Sequence, residues 1–506
     1  MLDNGLPHEV LRPAGTSERR CIMRHVLGYY RALILTGRYS MPNGFELKKE
    51  SFYPSLKHCI SSHPMLSTAI KDEQTEAPEF IRPSIIDLSN HVEIQSPIEV
   101  ASTGISAELE ALRHRLCKAH DQPFSNIERI PPWKIIVVPI NNPAATTGNT
   151  CWILFSYSHS HGDGSSALFF HRTLLHALRA PSLTTPSPST AATNSLFTPP
   201  ATALLPPVEL AKPLPITWPF LLLPLISHYL PTPISSFLPT LFRVSVTPHT
   251  PDMWKATPTS YDVTSFRTAI AFAVAPASTL QRLLQQCRAH PGVKLTAVLH
   301  ALVVRALSAS LPADAPAGTF VAQTAIDLRP LMPEAWQGAF ALGVSVAYHA
   351  FPRCEDGHGF DQSFWQRARD TTAHLAERSG TLVDQPIGLL SYLRSFRGWL
   401  EGLVGKERDS SYEVSNLLAF DPDEEEGGSG ADGVGGWGFR GMVFTQPANA
   451  VGSAVNFNVV STKGGDLVVS LTWQRGVLGV EGDEDEWARG VCEHLEGDMK
   501  ALAPGE

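Results

Sequence analysis

Seventeen of the chain's 41 prolines fall between Pro181 and Pro258, and that crowding divides the sequence into two foldable halves. Proline fixes φ and removes a backbone donor, so neither a long helix nor a central strand can run through such a stretch. On both sides the hydrophobic period switches repeatedly between two and about 3.6, which predicts alternating strands and helices. In the first half, residues 31–39 (RALILTGRY) and 133–140 (WKIIVVPI) read as strands, and 107–119 as a helix. Residues 46–61 read as a helix with Leu47, Phe52, Leu56 and Ile60 on one side. In the second half, 266–274, 319–328, 342–351, 412–420, 454–460 and 466–473 read as strands, with helices over 276–287 and 294–307 (KLTAVLHALVVRAL).

The proline-rich stretch itself has two parts. Residues 181–200 are rich in Ser and Thr and read as a mobile linker. Residues 214–242 are apolar, but prolines at 215, 219, 224, 231, 233 and 239 would break a spanning helix and strand its backbone groups in lipid. A crossover packed between lobes or over a greasy pocket fits better, with peripheral contact to a lipid surface as the alternative. A second irregular segment, 421–436 (DPDEEEGGSGADGVGG), could pass for a phosphate loop. Its acidic residues repel phosphate, so it reads as a flexible insert.

Composition bounds the rest. With 506 residues, 43% hydrophobic, the chain can bury a large core in more than one domain. A net charge of −9 gives no steering towards nucleic acid. The first 13 residues hold no apolar run and carry Asp3 and Glu9, so no secretory signal is expected and a cytoplasmic location is. Seven scattered cysteines without a C-x-x-C pair suit reduced thiols rather than a metal or disulfide framework.

The chemistry concentrates in His159-Ser160-His161-Gly162-Asp163-Gly164. An apolar, aromatic run (152–158) precedes it and an amphipathic run (165–178) follows, placing the block on a strand-to-helix turn, rigid support for a catalytic side chain. Read as H-x-x-x-D-G, it offers one histidine base, an aspartate and a turn glycine. An accidental match in a chain of this composition is expected about 0.1 times. Read as H-x-H-x-D, it offers three alternating metal ligands of a dinuclear hydrolase. That signature ends in a further histidine, and Gly164 stands there, so no metal is expected. His161, and His171 and His176 on the following helix, read as structural.

Several blocks recur in one order along about 450 residues. They are Arg24-His25-Val26-Leu27-Gly28-Tyr29-Tyr30 with Tyr39, His63-Pro64-x-Leu66, Pro132-Trp133-Lys134, the H-x-x-x-D-G block, Asp327-Leu328-Arg329-Pro330, Ser415-Asn416, and Phe444-Thr445-Gln446 before Asn456-Phe457-Asn458. In this the chain resembles the coenzyme A-dependent acyltransferase superfamily, which includes chloramphenicol acetyltransferase, the plant acyltransferases and the condensation domains of peptide synthetases. Within it, the chain is most similar to the fungal alcohol acetyltransferases. The resemblance implies a chloramphenicol acetyltransferase-like α/β fold: two similar-sized lobes of mixed β-sheet flanked by helices, joined by a long crossover. The lobes would be 1–180 and 259–506, the crossover 181–258, and a tunnel at the interface would admit acyl-CoA from one face and the acceptor from the other.

Acyl transfer from a thioester needs a base for the incoming nucleophile and donors for the tetrahedral oxyanion, but no metal and no covalent intermediate. His159 is the candidate base, since an imidazole can take the acceptor's proton and return it to the leaving thiolate. The resemblance implies that Asp163 turns away from the histidine and pairs with an arginine, bracing the loop; Arg329 is the candidate partner. Gly164 is the turn position where a side chain would clash. For the oxyanion, Thr445 is the first candidate and Asn416 the second. The expected activity is acetyl-CoA-dependent O-acylation of a small or moderately apolar alcohol by a monomer, with acetyl-CoA as co-substrate and no bound cofactor. The alternatives are an amine acceptor, a condensation-type reaction, the H-x-H-x-D hydrolase, or a non-catalytic binding protein.

Overall fold

The computed structural model describes residues 8–100, 102, 104–142, 149–180, 194–222, 248, 250–312, 315, 317–354, 359–424 and 436–503. The first lobe begins with β1 (His8–Pro13), α1 (Thr16–Val26), β2 (Leu33–Ser40) and α2 (Tyr53–Ser62). Short strands follow: β3 (Ala69–Lys71), β4 (Glu79–Pro83), β5 (Ile86–Asp87), β6 (Val92–Ile94) and β7 (Ile98–Glu99). Then come α3 (Ile105–Asp121), β8 (Trp133–Asn141), β9 (Thr150–Tyr157) and α4 (Gly164–Arg179). The crossover contributes β10 (Leu196–Phe197) and α5 (Val208–Ala211).

The second lobe runs β11 (Thr268–Ala275), α6 (Ala277–Ala289), α7 (Leu295–Ser310), β12 (Thr319–Asp327), β13 (Val344–Pro352), α8 (Gln362–Ser379) and α9 (Phe396–Leu403). It ends with β14 (Tyr412–Phe420), β15 (Gly438–Thr445), β16 (Val455–Thr462), β17 (Leu467–Gln474) and α10 (Glu484–Leu502).

Two six-stranded mixed sheets organise these elements. One has the order β15-β2-β9-β8-β6, with β7 also on β8; the other has the order β11-β17-β16-β14-β12-β13. A small antiparallel sheet, β1-β4-β3, and the pair β10-β5 lie beside the first. The central strands are buried on both faces, as the unbroken apolar run of β9 requires. Phe155 of β9 stacks on Phe170 of α4 with ring centroids 3.7 Å apart, tying strand, turn and helix together. Buried Ala and Val side chains of α7 close the second core.

Three features differ from the sequence reading. Residues 46–48 are not helical: a short 3-10 turn, Lys49–Phe52, leads into α2, whose first turn holds Pro54 where no N–H is needed. Of the linker read over 181–200, residues 181–193 lie outside the described residues, while the crossover docks on the first lobe where β10 pairs with β5 and where Glu209 accepts from the Thr16 amide at 2.5 Å. Most notably, β15 belongs to the first sheet although it lies beyond residue 259. It pairs antiparallel with β2, Thr445 opposite Ile34 and Gly438 opposite Ser40, and buries Met442 and Phe444 in the first core. The two lobes therefore share a strand as well as an interface.

Of the apolar stretch 214–242, only 214–222 lies among the described residues; Phe220 is buried there and Trp218 exposed. Residues 425–435 of the acidic insert likewise lie outside them. Among the described residues no helix is long and apolar enough to cross a membrane.

Candidate active site

The block His159–Gly164 occupies the turn between β9 and α4, and each of its polar side chains takes a different direction. Asp163 is the N-cap of α4, accepting from the Ser166 amide at 3.1 Å. Its carboxylate then faces the second lobe. Arg329 donates to it twice, Nη1 to Oδ2 and Nη2 to Oδ1, each at 2.9 Å, and the Gly343 amide donates to Oδ2 at 2.8 Å. Both side chains are almost fully buried. Burial alone would raise the aspartate's pKa, but the Arg329 charge and these hydrogen bonds hold it below the ordinary carboxylate value. The resemblance implied an arginine partner for Asp163, with Arg329 the candidate, and the structure brings these two together as a bidentate clamp across the lobes.

His161 points into the first lobe. Its Nε2 lies 3.0 Å from the Thr68 carbonyl and its Nδ1 2.9 Å from Ser160 Oγ, so both ring nitrogens are used. His159 is different. Its Nδ1 lies 2.8 Å from the Gly162 carbonyl, an acceptor only, so Nδ1 carries the hydrogen. Nε2 is then the lone-pair nitrogen. Burial, opposed by that hydrogen bond and reinforced by the nearby Arg24 charge, pushes the imidazole down to about 4, so it is neutral at physiological pH. The three potential ligands of the H-x-H-x-D reading thus diverge, and among the described residues no cluster of His, Cys, Asp or Glu could hold a metal ion.

The two glycines permit this packing. A Cβ on Gly162 would come within 2.8 Å of Ser166 and 2.9 Å of Phe340, while one on Gly164 would collide with the Leu417 side chain of β14. At Gly164 it is thus the neighbour across the lobe interface, not the backbone angles, that favours the missing side chain.

His159 opens onto a cavity of about 460 Å³ between the lobes. Arg20, Arg24 and Tyr30 line one side, and Ser345, Tyr348, Glu413 and Ser415 of the second sheet another. Leu390, Leu393, Trp399 and Leu400 form an apolar wall. Tyr30 lies beside the imidazole, ring centroids 5.6 Å apart, and donates to Gln446 Oε1 at 2.6 Å; Gln446 Nε2 in turn donates to Glu413 at 2.7 Å.

The sequence profile of alcohol acetyltransferases matches residues 110–494. This chain belongs to the alcohol acetyltransferase family. It is an acyltransferase, and similar proteins match most of its length. It is 24% identical over 503 residues to the probable alcohol acetyltransferase FCK4 of Fusarium pseudograminearum, covering 95% of each chain. It is also 24% identical over 476 residues to the probable alcohol acetyltransferase crmB of Aspergillus fumigatus, covering 90% of this chain and 93% of that one. Among solved structures, TRI3 trichothecene 15-O-acetyltransferase of Fusarium sporotrichioides shares the two-lobed fold with a TM-score of 0.65 at 11% identity, over 97% and 95% of the chains.

Within this acetyltransferase the two oxyanion candidates read from sequence do not reach the cavity. Thr445 is fully buried, its hydroxyl held by His120 Nε2 at 2.8 Å on the opposite face of β15 from the cavity. Asn416 turns towards α7, donating to Thr296 Oγ1 at 3.0 Å. Strand parity explains the second miss. Tyr412 and Val414 are apolar and enter the core, so Asn416 follows them, whereas Glu413 and Ser415 face the cavity. Ser415, Tyr30 and Gln446 were within blocks already noted in the sequence, but nothing in their spacing marked them as cavity residues.

Proposed function

We propose that the acetyltransferase moves an acetyl group from acetyl-CoA directly to the hydroxyl of a small alcohol, with His159 Nε2 as general base. The observation that supports this most is the lone-pair nitrogen of a neutral, tautomer-fixed imidazole facing the interlobe cavity. Nε2 removes the acceptor's proton as its oxygen attacks the thioester carbonyl. The tetrahedral intermediate then expels the thiolate, and the imidazolium returns the same proton to sulfur, leaving ester and free CoA. Ser415 Oγ, on the cavity face of β14, is the candidate oxyanion donor. Asp163 and Arg329 act through position: they lock the turn and align the lobes.

Thiol release from acetyl-CoA, with and without a panel of alcohols and in the presence of EDTA, tests the reading. Acceptor-dependent release that survives EDTA and is lost in His159→Ala supports it. Full activity in a folded His159→Ala protein overturns it.

A further inference from the structure

Arg24 is 5% exposed, its Nε has no hydrogen-bond partner, and its guanidinium lines the active-site cavity. Arg20, four residues earlier on the same face of α1, lines that cavity too. Among the described residues neither makes an ion pair with a carboxylate, whereas the buried guanidiniums of Arg329 and Arg82 are matched, to Asp163 and Glu9, and that of Arg31 donates to the Asp121 carbonyl. Leaving a cation buried without an anion is costly, and a ligand that supplies one removes the cost. Glu413 is an acid on the same wall, but it makes no ion pair with either arginine: its carboxylate is held by Gln446, and burial outweighs the charges of Arg24 and Arg20 to raise its pKa. Arg408, also in the wall, donates Nε and Nη1 to the carbonyls of Thr257 and Gly452 and is left with one buried nitrogen, Nη2, without a partner.

Position identifies the anion's owner. The Arg24 guanidinium lies 4.2 Å from the Tyr30 ring centre, and the Tyr30 ring 5.6 Å from that of His159. These two steps are short beside the pantetheine arm that separates a CoA thioester from its diphosphate, so the anion belongs to the reacting end of a substrate. We propose that Arg24, with Arg20 one turn before it, is a carboxylate subsite of the active-site cavity, so that a substrate brought to His159 carries a free carboxylate. This rests on His159 being the base. The carboxylate could sit on the acceptor, a hydroxy acid whose carbon skeleton lies along the Leu390–Trp399 wall, or on the acyl group of a dicarboxylic acyl-CoA.

The full-length enzyme separates these sources. One arm compares 6-hydroxyhexanoate with its methyl ester, using acetyl-CoA; a second compares malonyl-CoA with acetyl-CoA, using hexan-1-ol. A third compares acetyl-CoA with S-acetylpantetheine, which lacks the phosphates. One of the first two should show a kcat/KM preference of about tenfold or more for the carboxylate. Arg24→Met should reduce that preference by about tenfold to a hundredfold, the range of a lost charge-assisted hydrogen bond, with Arg24→Lys in between and the third ratio unmoved. Arg20→Met provides the same test should Arg24→Met fold poorly. No preference in either arm, or a preference that both Met variants keep, overturns the subsite, as does a change confined to the third ratio. If no pair releases thiol, neither probe is an acceptor and thermal shift decides the subsite. Stabilisation by 6-hydroxyhexanoate or malonyl-CoA, but not by the methyl ester, that disappears in Arg24→Met supports it; no such shift overturns it.

Discussion

The turn that carries His159 and the α1 wall across the cavity face the same space but are finished differently. In the turn, almost every polar atom is spent: Tyr157 donates to the Asp163 carbonyl at 2.6 Å, Ser158 meets Ser160, Ser160 meets His161, and Asp163 meets Arg329. One nitrogen, His159 Nε2, is left over. On α1 the reverse holds: among the described residues the Arg24 side chain makes no ion pair, and it stacks on Tyr30. A saturated network fixes a reacting atom in place, while an unsaturated one leaves binding capacity for a ligand. His159 and His161 show the same contrast at two residues' separation. Both are pushed down to about 4 by burial, yet only one keeps a free nitrogen.

Removing that nitrogen should have the largest effect. His159→Ala is expected to lower kcat by roughly 10²–10⁴-fold with an unchanged melting temperature, as for loss of a general base; a steady-state assay and a melt on one sample check both. Opening the clamp should instead be felt in the fold. Arg329→Met leaves Asp163 buried and unpaired, which costs about 3–5 kcal/mol, and denaturant unfolding should show it. Asp163→Asn should likewise lower stability together with activity. An inactive Asp163→Asn protein with normal stability would mean that the aspartate takes part in the chemistry.

The two neighbours on β14 sharpen the comparison further. Ser415→Ala should lower kcat by about 10²-fold, the usual loss for one oxyanion donor, whereas Asn416→Ala should leave kcat within a few-fold and act on stability. Equal losses of kcat from both would break the assignment of faces. The last comparison is with pH. His25, His63, His91, His120, His161 and His171 all sit near 4 when folded, against an ordinary 6.5, with burial the leading cause. Between those values the unfolded chain binds protons that the folded one does not, so stability should fall as pH drops from about 6.5 towards 4. Melting temperature against pH checks this. The acid limb of kcat/KM should lie below 6.5 for the same reason at His159; a limb at or above 6.5 would contradict the neutral imidazole.

Much of the fold was legible because long periodic segments report their own burial. The strand and helix readings for 133–140, 152–158, 165–178, 294–307, 412–420 and 466–473 correspond to β8, β9, α4, α7, β14 and β17. Others gave weaker signals: α1 is largely polar in sequence, and α8 and α10 were not read as helices although their apolar stripes are clear once seen against the second core. Strand β15 was missed because glycines at its start and an arginine within it dilute the pattern. Its place in the first sheet could not come from local sequence at all, since pairing with β2 joins residues some 400 positions apart.

The sequence by itself determined the chemistry on offer: a histidine at the end of an apolar strand, an aspartate and two glycines in the turn, and a proline-rich break between two α/β halves. Those are local properties, set by residue type and spacing within one turn or one strand. Only the tertiary structure decided which atoms face the cavity. Strand parity took Asn416 and Thr445 out of it and put Ser415 and Gln446 in, and packing of α1 against the second lobe left Arg24 unpaired beside Tyr30. Whether a polar group is spent or free depends on partners brought together from distant parts of the chain, and no local pattern records them.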